Sequence, residues 1–167
     1  MIKITRLLLI FLFCLPKVAI SQERKTDEKL EQALKDLTSS FKGDVGIYVY
    51  NLSTNTEAGI NADTIFPTAS VIKVPILLGV FKKIADGELN YNEPLVYNVE
   101  RAYGGSGLMQ FYKDSTQTDL RTSIALMLGY SDNTSSLWNQ ELAGGGKEIN
   151  ALMEILGLKD TRVNSRT

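Results

Sequence analysis

Leu30, Leu34, Leu37 and Phe41 recur at three- and four-residue spacing behind a charged stretch, and that period predicts an amphipathic helix over 27–40 lying on a sheet. From residue 45 the period changes to two. Val45-Gly46-Ile47-Tyr48-Val49-Tyr50 alternates and is rich in β-branched and aromatic side chains, which predicts a strand, with turn residues at 51–55 and a return strand near 57–60. Over 70–85 the pattern changes again, since Val71, Ile72, Val74, Ile76, Leu77, Leu78, Val80 and Phe81 leave no polar face, and a helix apolar all round belongs in a core. Pro75 inside it removes a hydrogen bond to Val71 and presses on that carbonyl, so a kink is expected there. Further helices are predicted over 118–128, 134–142 and 147–156; Gly129 ends the first, and Gly144-Gly145-Gly146 precedes the last.

Residues 1–21 differ in kind. Lys3 and Arg6 precede an apolar run over 7–15, Pro16 breaks it, and Ala19-Ile20-Ser21 offers small residues before Gln22, the pattern of a secretory signal peptide. The run is too short for a permanent membrane anchor. Cys14, behind bulky Leu12 and Phe13, is poorly placed for lipid modification. The expected mature chain, 22–167, is exported to the periplasm or the extracellular space and holds no thiol.

Composition then narrows the chemistry. With 44% hydrophobic and 22% charged residues, the 167-residue chain is globular in type and of single-domain length. Eighteen basic residues against nineteen acidic ones give a net charge of -1, which supplies no electrostatic reason for a nucleic-acid partner or an anionic membrane surface. Nothing in the chain demands an obligate protein partner. The absence of histidine, together with a single cysteine inside the signal, leaves a zinc site without its usual ligands, so no metal and no cofactor are expected. Gly146-Lys147 is no phosphate loop, because Glu148 stands where a hydroxyl is needed and Glu141 where a glycine is needed.

Without histidine, a serine nucleophile needs another base. Ser70 and Lys73 lie one turn apart on the same helix face, and lysine can take the proton if desolvation lowers its affinity for it. The plain structural reading is a lysine that carries its charge out to water along its own stem. Ser131-Asp132-Asn133, after a helix end at Gly129, likewise reads alone as an ordinary helix connection.

Together, and in this order, the motifs say more. Ser-x-x-Lys opening an apolar helix, Ser-Asp-Asn at a later helix junction, a hairpin over 44–60 before them and Gly104-Gly105-Ser106-Gly107-Leu108-Met109-Gln110 between them resemble the penicillin-recognising serine enzymes, class A β-lactamases above all. The resemblance runs from about residue 30 to the end. It implies an α+β fold of the β-lactamase/transpeptidase type: a helical domain packed on an antiparallel sheet, of which this chain would hold only the first hairpin. It implies Ser70 as the acylated nucleophile, Lys73 as proton acceptor or relay, Ser131 as the hydroxyl that passes the proton to the leaving lactam nitrogen, and Asn133 as the amide that holds the substrate's acylamino group. Asp132 would be structural. The backbone N–H of Ser70 would serve as an oxyanion donor. The implied substrate is a small-molecule β-lactam; the alternatives are a penicillin-binding D,D-peptidase acting on cell-wall peptides, and a non-catalytic fragment.

Two departures accompany the resemblance. Relatives complete the site with Lys-Thr-Gly or Lys-Ser-Gly on a later strand, which does not occur up to Thr167. The run Thr161-Arg162-Val163-Asn164-Ser165-Arg166-Thr167 resembles the one that leads to the deacylating glutamate of class A enzymes, and it contains no carboxylate. The expectation is therefore that 22–167 is the N-terminal portion of a longer protein, marginal in stability and inactive alone.

Overall fold

The computed structural model describes residues 24–164. The secretory signal expected over 1–21 lies outside the described residues, as do 165–167 of the run that begins at Thr161. The chain divides after Thr64 into two compact units.

In the first unit, helix α1 (Glu28–Thr38) starts where Asp27 accepts a hydrogen bond from the Leu30 N–H at 3.0 Å, and Glu28 and Glu31 in the first turn suit the positive end of the helix dipole. It packs on the sheet as expected, against β3 (Thr56–Ile60). The contact uses only part of the stripe. Leu30 and Leu34 are half-buried, whereas Leu37 and Phe41 remain 78% and 61% exposed. Strand β2 (Ile47–Asn51) pairs antiparallel with β3, Ile47 opposite Ile60 and Asn51 opposite Thr56. The Asn51 carboxamide closes the turn by accepting from the N–H groups of Ser53 and Thr54. The ladder begins two residues later than the alternation predicts, because the Val45 carbonyl is taken by the Asn61 side chain at 2.8 Å. A two-residue strand, β1 (Lys25–Thr26), adds a parallel edge to β3.

The second unit is helical. A 3₁₀ turn over Ala69–Ile72 leads into α2 (Lys73–Ala85); α3 (Leu120–Gly129), α4 (Asn133–Leu142) and α5 (Gly145–Ile155) follow. Helix α4 lies against all three of the others, and Ile76, Val80, Leu120, Met127, Trp138 and Ile149 form the core around it. Each such side chain contributes roughly 1.5–3 kcal/mol on burial. Two short strands absent from the sequence reading, β4 (Pro94–Val96) and β5 (Gln117–Asp119), pair antiparallel with Leu95 opposite Thr118.

Two expectations about the helix after Ser70 need correction. The α-helix starts at Lys73, so Pro75 occupies its first turn, where an N–H has no intrahelical partner to lose and the expected kink has no cause. Nor is the helix buried all round. Ile76 and Val80 face the core, while Val71, Val74, Leu78 and Phe81 form an exposed apolar row.

Candidate active site

Ser70, Lys73, Ser131 and Asn133 converge in the second unit, although 58 residues separate the lysine from Ser131. The 3₁₀ turn explains the first pair. With three residues per turn, side chains at i and i+3 stand directly one above the other, and Lys73 Nζ lies 3.3 Å from Ser70 Oγ. The same ammonium donates to the Ser131 carbonyl at 2.6 Å, to Ser131 Oγ at 2.8 Å and to Asn133 Oδ1 at 3.2 Å. Ser131 Oγ in turn donates to Ser70 Oγ at 2.9 Å, which closes a triangle of two hydroxyls and one amine.

Two backbone conformations that no sequence pattern announces make this convergence. Ala69, just before Ser70, and Ser131 both sit in the left-handed region, at φ 43° and 53°. For residues with a Cβ this conformation costs of order 1–3 kcal/mol, and such strain collects where a site over-determines the backbone. At Ser131 it turns carbonyl and hydroxyl together toward Lys73.

Lys73 is 5% exposed, and burial holds its ammonium below the ordinary lysine range, with the Asp132 carboxylate opposing the shift. Asp132 is itself fully buried and structural in the literal sense. Its Oδ1 caps α4 by accepting from the Ser135 N–H at 2.8 Å; its Oδ2 accepts from the N–H groups of Leu108 and Met109 at 2.6 and 2.7 Å. Thr134, which sequence reasoning missed, accepts from the Tyr103 N–H at 3.0 Å and donates to the Tyr103 carbonyl at 3.1 Å. Its signal was only its adjacency to the Ser-Asp-Asn motif. Among the described residues no backbone carbonyl outside the helices is seen to accept from the Ser70 N–H.

A cleft of about 290 Å³ opens beside these groups, lined by Ser70, Lys73, Tyr103, Asn133, Gln140 and Asn164 among others. Val163, next to Asn164, is docked on α5 by the Asn150 carboxamide, which accepts from its N–H at 2.7 Å and donates to its carbonyl at 3.1 Å. The cleft of about 540 Å³ in the first unit is larger and chemically quieter. Its Tyr48 hydroxyl donates to Glu57, which pushes the phenol above its usual range and makes it a poor nucleophile. Among the described residues no three histidine, cysteine, aspartate or glutamate side chains converge on a point where a metal could sit.

A serine, a buried lysine and a second serine in mutual contact are the equipment of acyl transfer without histidine, and comparison with known proteins points the same way. Residues 29–167 match the model of the beta-lactamase enzyme family. The chain belongs to that family. An imipenem-hydrolyzing β-lactamase from Enterobacter cloacae is 27% identical over 164 residues, 98% of this chain and 55% of that relative. The solved structure of PBP-A superimposes with a TM-score of 0.81 at 28% identity, over 86% of this chain and 55% of that one. A mutant of PBP-A, equally similar, was solved as an acyl-enzyme complex with penicillin G. The chain thus spans about half the length of the family members it matches, and what it holds is a helix-rich α+β portion of the family fold.

Proposed function

We propose that this chain carries the acylating half of a β-lactam-hydrolysing serine enzyme. Neutral Lys73 takes the proton from Ser70 Oγ as that oxygen bonds to the lactam carbonyl carbon. The C–N bond of the ring then breaks, and its nitrogen receives a proton from Ser131 Oγ, which recovers one from Lys73. Atoms and charge balance, and Ser70 is left as an ester. Asn133 holds the acylamino group of the substrate, and residues 1–21 direct export across the membrane, where β-lactams are met.

The observation that carries this reading is the closed triangle of Ser70 Oγ, Lys73 Nζ and Ser131 Oγ, with separations of 3.3, 2.8 and 2.9 Å. A base within 3.3 Å of the nucleophile and of the relay can serve both proton transfers without moving. The described residues lining the cleft include no carboxylate, so acylation is the step that they account for. A second reading, a cell-wall peptidase, shares the acylation and differs in what the ester meets next; the penicillin G acyl-enzyme solved for the PBP-A mutant agrees with either.

Intact-mass spectrometry after incubation with a penicillin tests the proposal in the protein that carries this chain. The expected result is one covalent adduct, mapped to Ser70 and lost in Ser70→Ala. An adduct on Ser131, or one that survives Ser70→Ala, refutes it. Lys73→Ala is expected to slow acylation by about 10²–10⁴-fold, the usual contribution of a general base.

A further inference from the structure

Gln110 hydrogen-bonds to none of the four site side chains, yet it closes the loop on which one of them leans. Its Nε2 donates to the carbonyls of Gly105 at 2.8 Å and Gly107 at 3.0 Å. Both glycines have left-handed φ values, 108° and 114°, which glycine adopts at little steric cost but with the largest loss of backbone freedom, so a side-chain tie helps to hold the segment in this one shape. That shape matters to Asn133. The Asn133 backbone N–H donates to the Ser106 carbonyl at 3.0 Å, and its Nδ2 donates to the Gly104 carbonyl at 3.3 Å. A Cβ placed on Gly105 would lie 2.7 Å from Asn133 Nδ2, which puts the loop backbone hard against the amide.

The two ends of that amide are held from opposite sides. Lys73 Nζ donates to the oxygen end at 3.2 Å, and the loop carbonyl takes one of the two hydrogens at the nitrogen end. One N–H remains for a ligand. We propose that Gln110 is a positioning residue: by tying Gly105 to Gly107 it sets the orientation of the Asn133 carboxamide, and thereby the preference for acyl donors that carry an acylamino carbonyl. This rests on the reading above that Asn133 binds the acylamino group.

The test uses Gln110→Met, which keeps the length of the side chain and removes both donors. Acylation of the protein carrying this chain is followed with benzylpenicillin and with 6-aminopenicillanic acid, which has the same ring nucleus and no acyl group. The ratio of second-order rate constants between the two donors is expected to fall about tenfold, the worth of one well-aimed hydrogen bond. In an Asn133→Ala background the same change should move the ratio less than twofold, because the group being positioned is gone. An equal loss for both donors, or an undiminished effect without Asn133, overturns the proposal.

A second measurement is independent of chemistry. The side-chain amide resonances of Asn133, assigned by their loss in Asn133→Ala, should shift in Gln110→Met and again in Gly105→Ala; unmoved resonances overturn the positioning role. A parent protein that no penicillin acylates, but whose Asn133 resonances move in both variants, refutes the proposed function and supports the positioning.

Discussion

Lys73 and Ser131 are joined twice: Nζ donates to the Ser131 carbonyl at 2.6 Å and to the Ser131 hydroxyl at 2.8 Å. Both bonds depend on the left-handed backbone of Ser131, and that separates two substitutions at one position. Ser131→Ala removes the hydroxyl and keeps the strain. Ser131→Gly removes both. Either variant should slow acylation by about 10²–10⁴-fold if Ser131 relays the proton, whereas the glycine variant should be the more stable of the two by about 1 kcal/mol, since only a Cβ makes that conformation costly. Paired thermal melts and stopped-flow acylation read the two effects, and equal melting temperatures would remove the strain argument.

The pH dependence of acylation follows from Lys73. If Lys73 is the base, it acts in its neutral form, and burial lowers its proton affinity from the ordinary value of 10.5, against the opposing pull of Asp132. Rates should therefore rise with pH through a midpoint below 10.5 and level off above it. Stability moves in the same direction, because between the folded and unfolded values only the unfolded lysine holds the proton, so raising the pH through that window favours the fold. In Lys73→Met that stability rise should vanish, and its persistence in denaturant titrations would assign the effect to another group.

Asp132 joins two segments by accepting three backbone N–H groups, from Leu108, Met109 and Ser135. Asp132→Ala leaves them without that acceptor in a buried place, at an expected cost of about 3–4 kcal/mol. Gly107→Ala attacks the same junction from the other side, with a new Cβ 2.3 Å from the carboxylate and a φ of +114°. The double variant should be less destabilised than the sum of the two, because Asp132→Ala removes the carboxylate part of the clash while the contact with the Asp132 Cα at 2.5 Å and the strain at φ +114° persist. Additive losses in urea titrations would show that the residues act separately.

Asp119 offers a contrast away from the cleft. Its carboxylate caps α3 by accepting from the Thr122 N–H at 2.6 Å. Asp119→Ala should cost about 1 kcal/mol in chemical denaturation and leave the acylation rate as it was. A fall in rate without a fall in stability would link that cap to the site.

How far the chain could be read ahead of its structure differs from element to element. The helices around Leu126, Trp138 and Met153 are long enough for a period to show, and the four site residues are named by motifs whose chemistry demands those types. Strands β4 and β5 have three residues each, too few for alternation to appear. The start of α2 was misplaced because a 3₁₀ turn and an α-helix share the same apolar residues and differ only in hydrogen bonding. Least legible were Ala69 and Ser131, since a left-handed residue with a side chain is imposed by tertiary contacts and no local preference announces it. The exposed row on α2 shows the converse limit: sequence tells which side chains are apolar and not which of them find a partner.

Ser70 and Ser131 are 61 residues apart, and that separation gives the site a history in time. A ribosome adding about 5–20 residues per second releases Ser70 roughly 3–12 seconds before Ser131. Closing a loop of that length then costs about 3–4 kcal/mol in chain entropy, which the α2–α4 contact has to offset before the lysine meets its acceptors. Until the bundle closes, Lys73 Nζ has neither the Ser131 carbonyl nor the Ser131 hydroxyl to donate to, so on the reading proposed above Ser70 should not acylate before that closure. The proposed reactivity would then arrive last, with closure of the bundle.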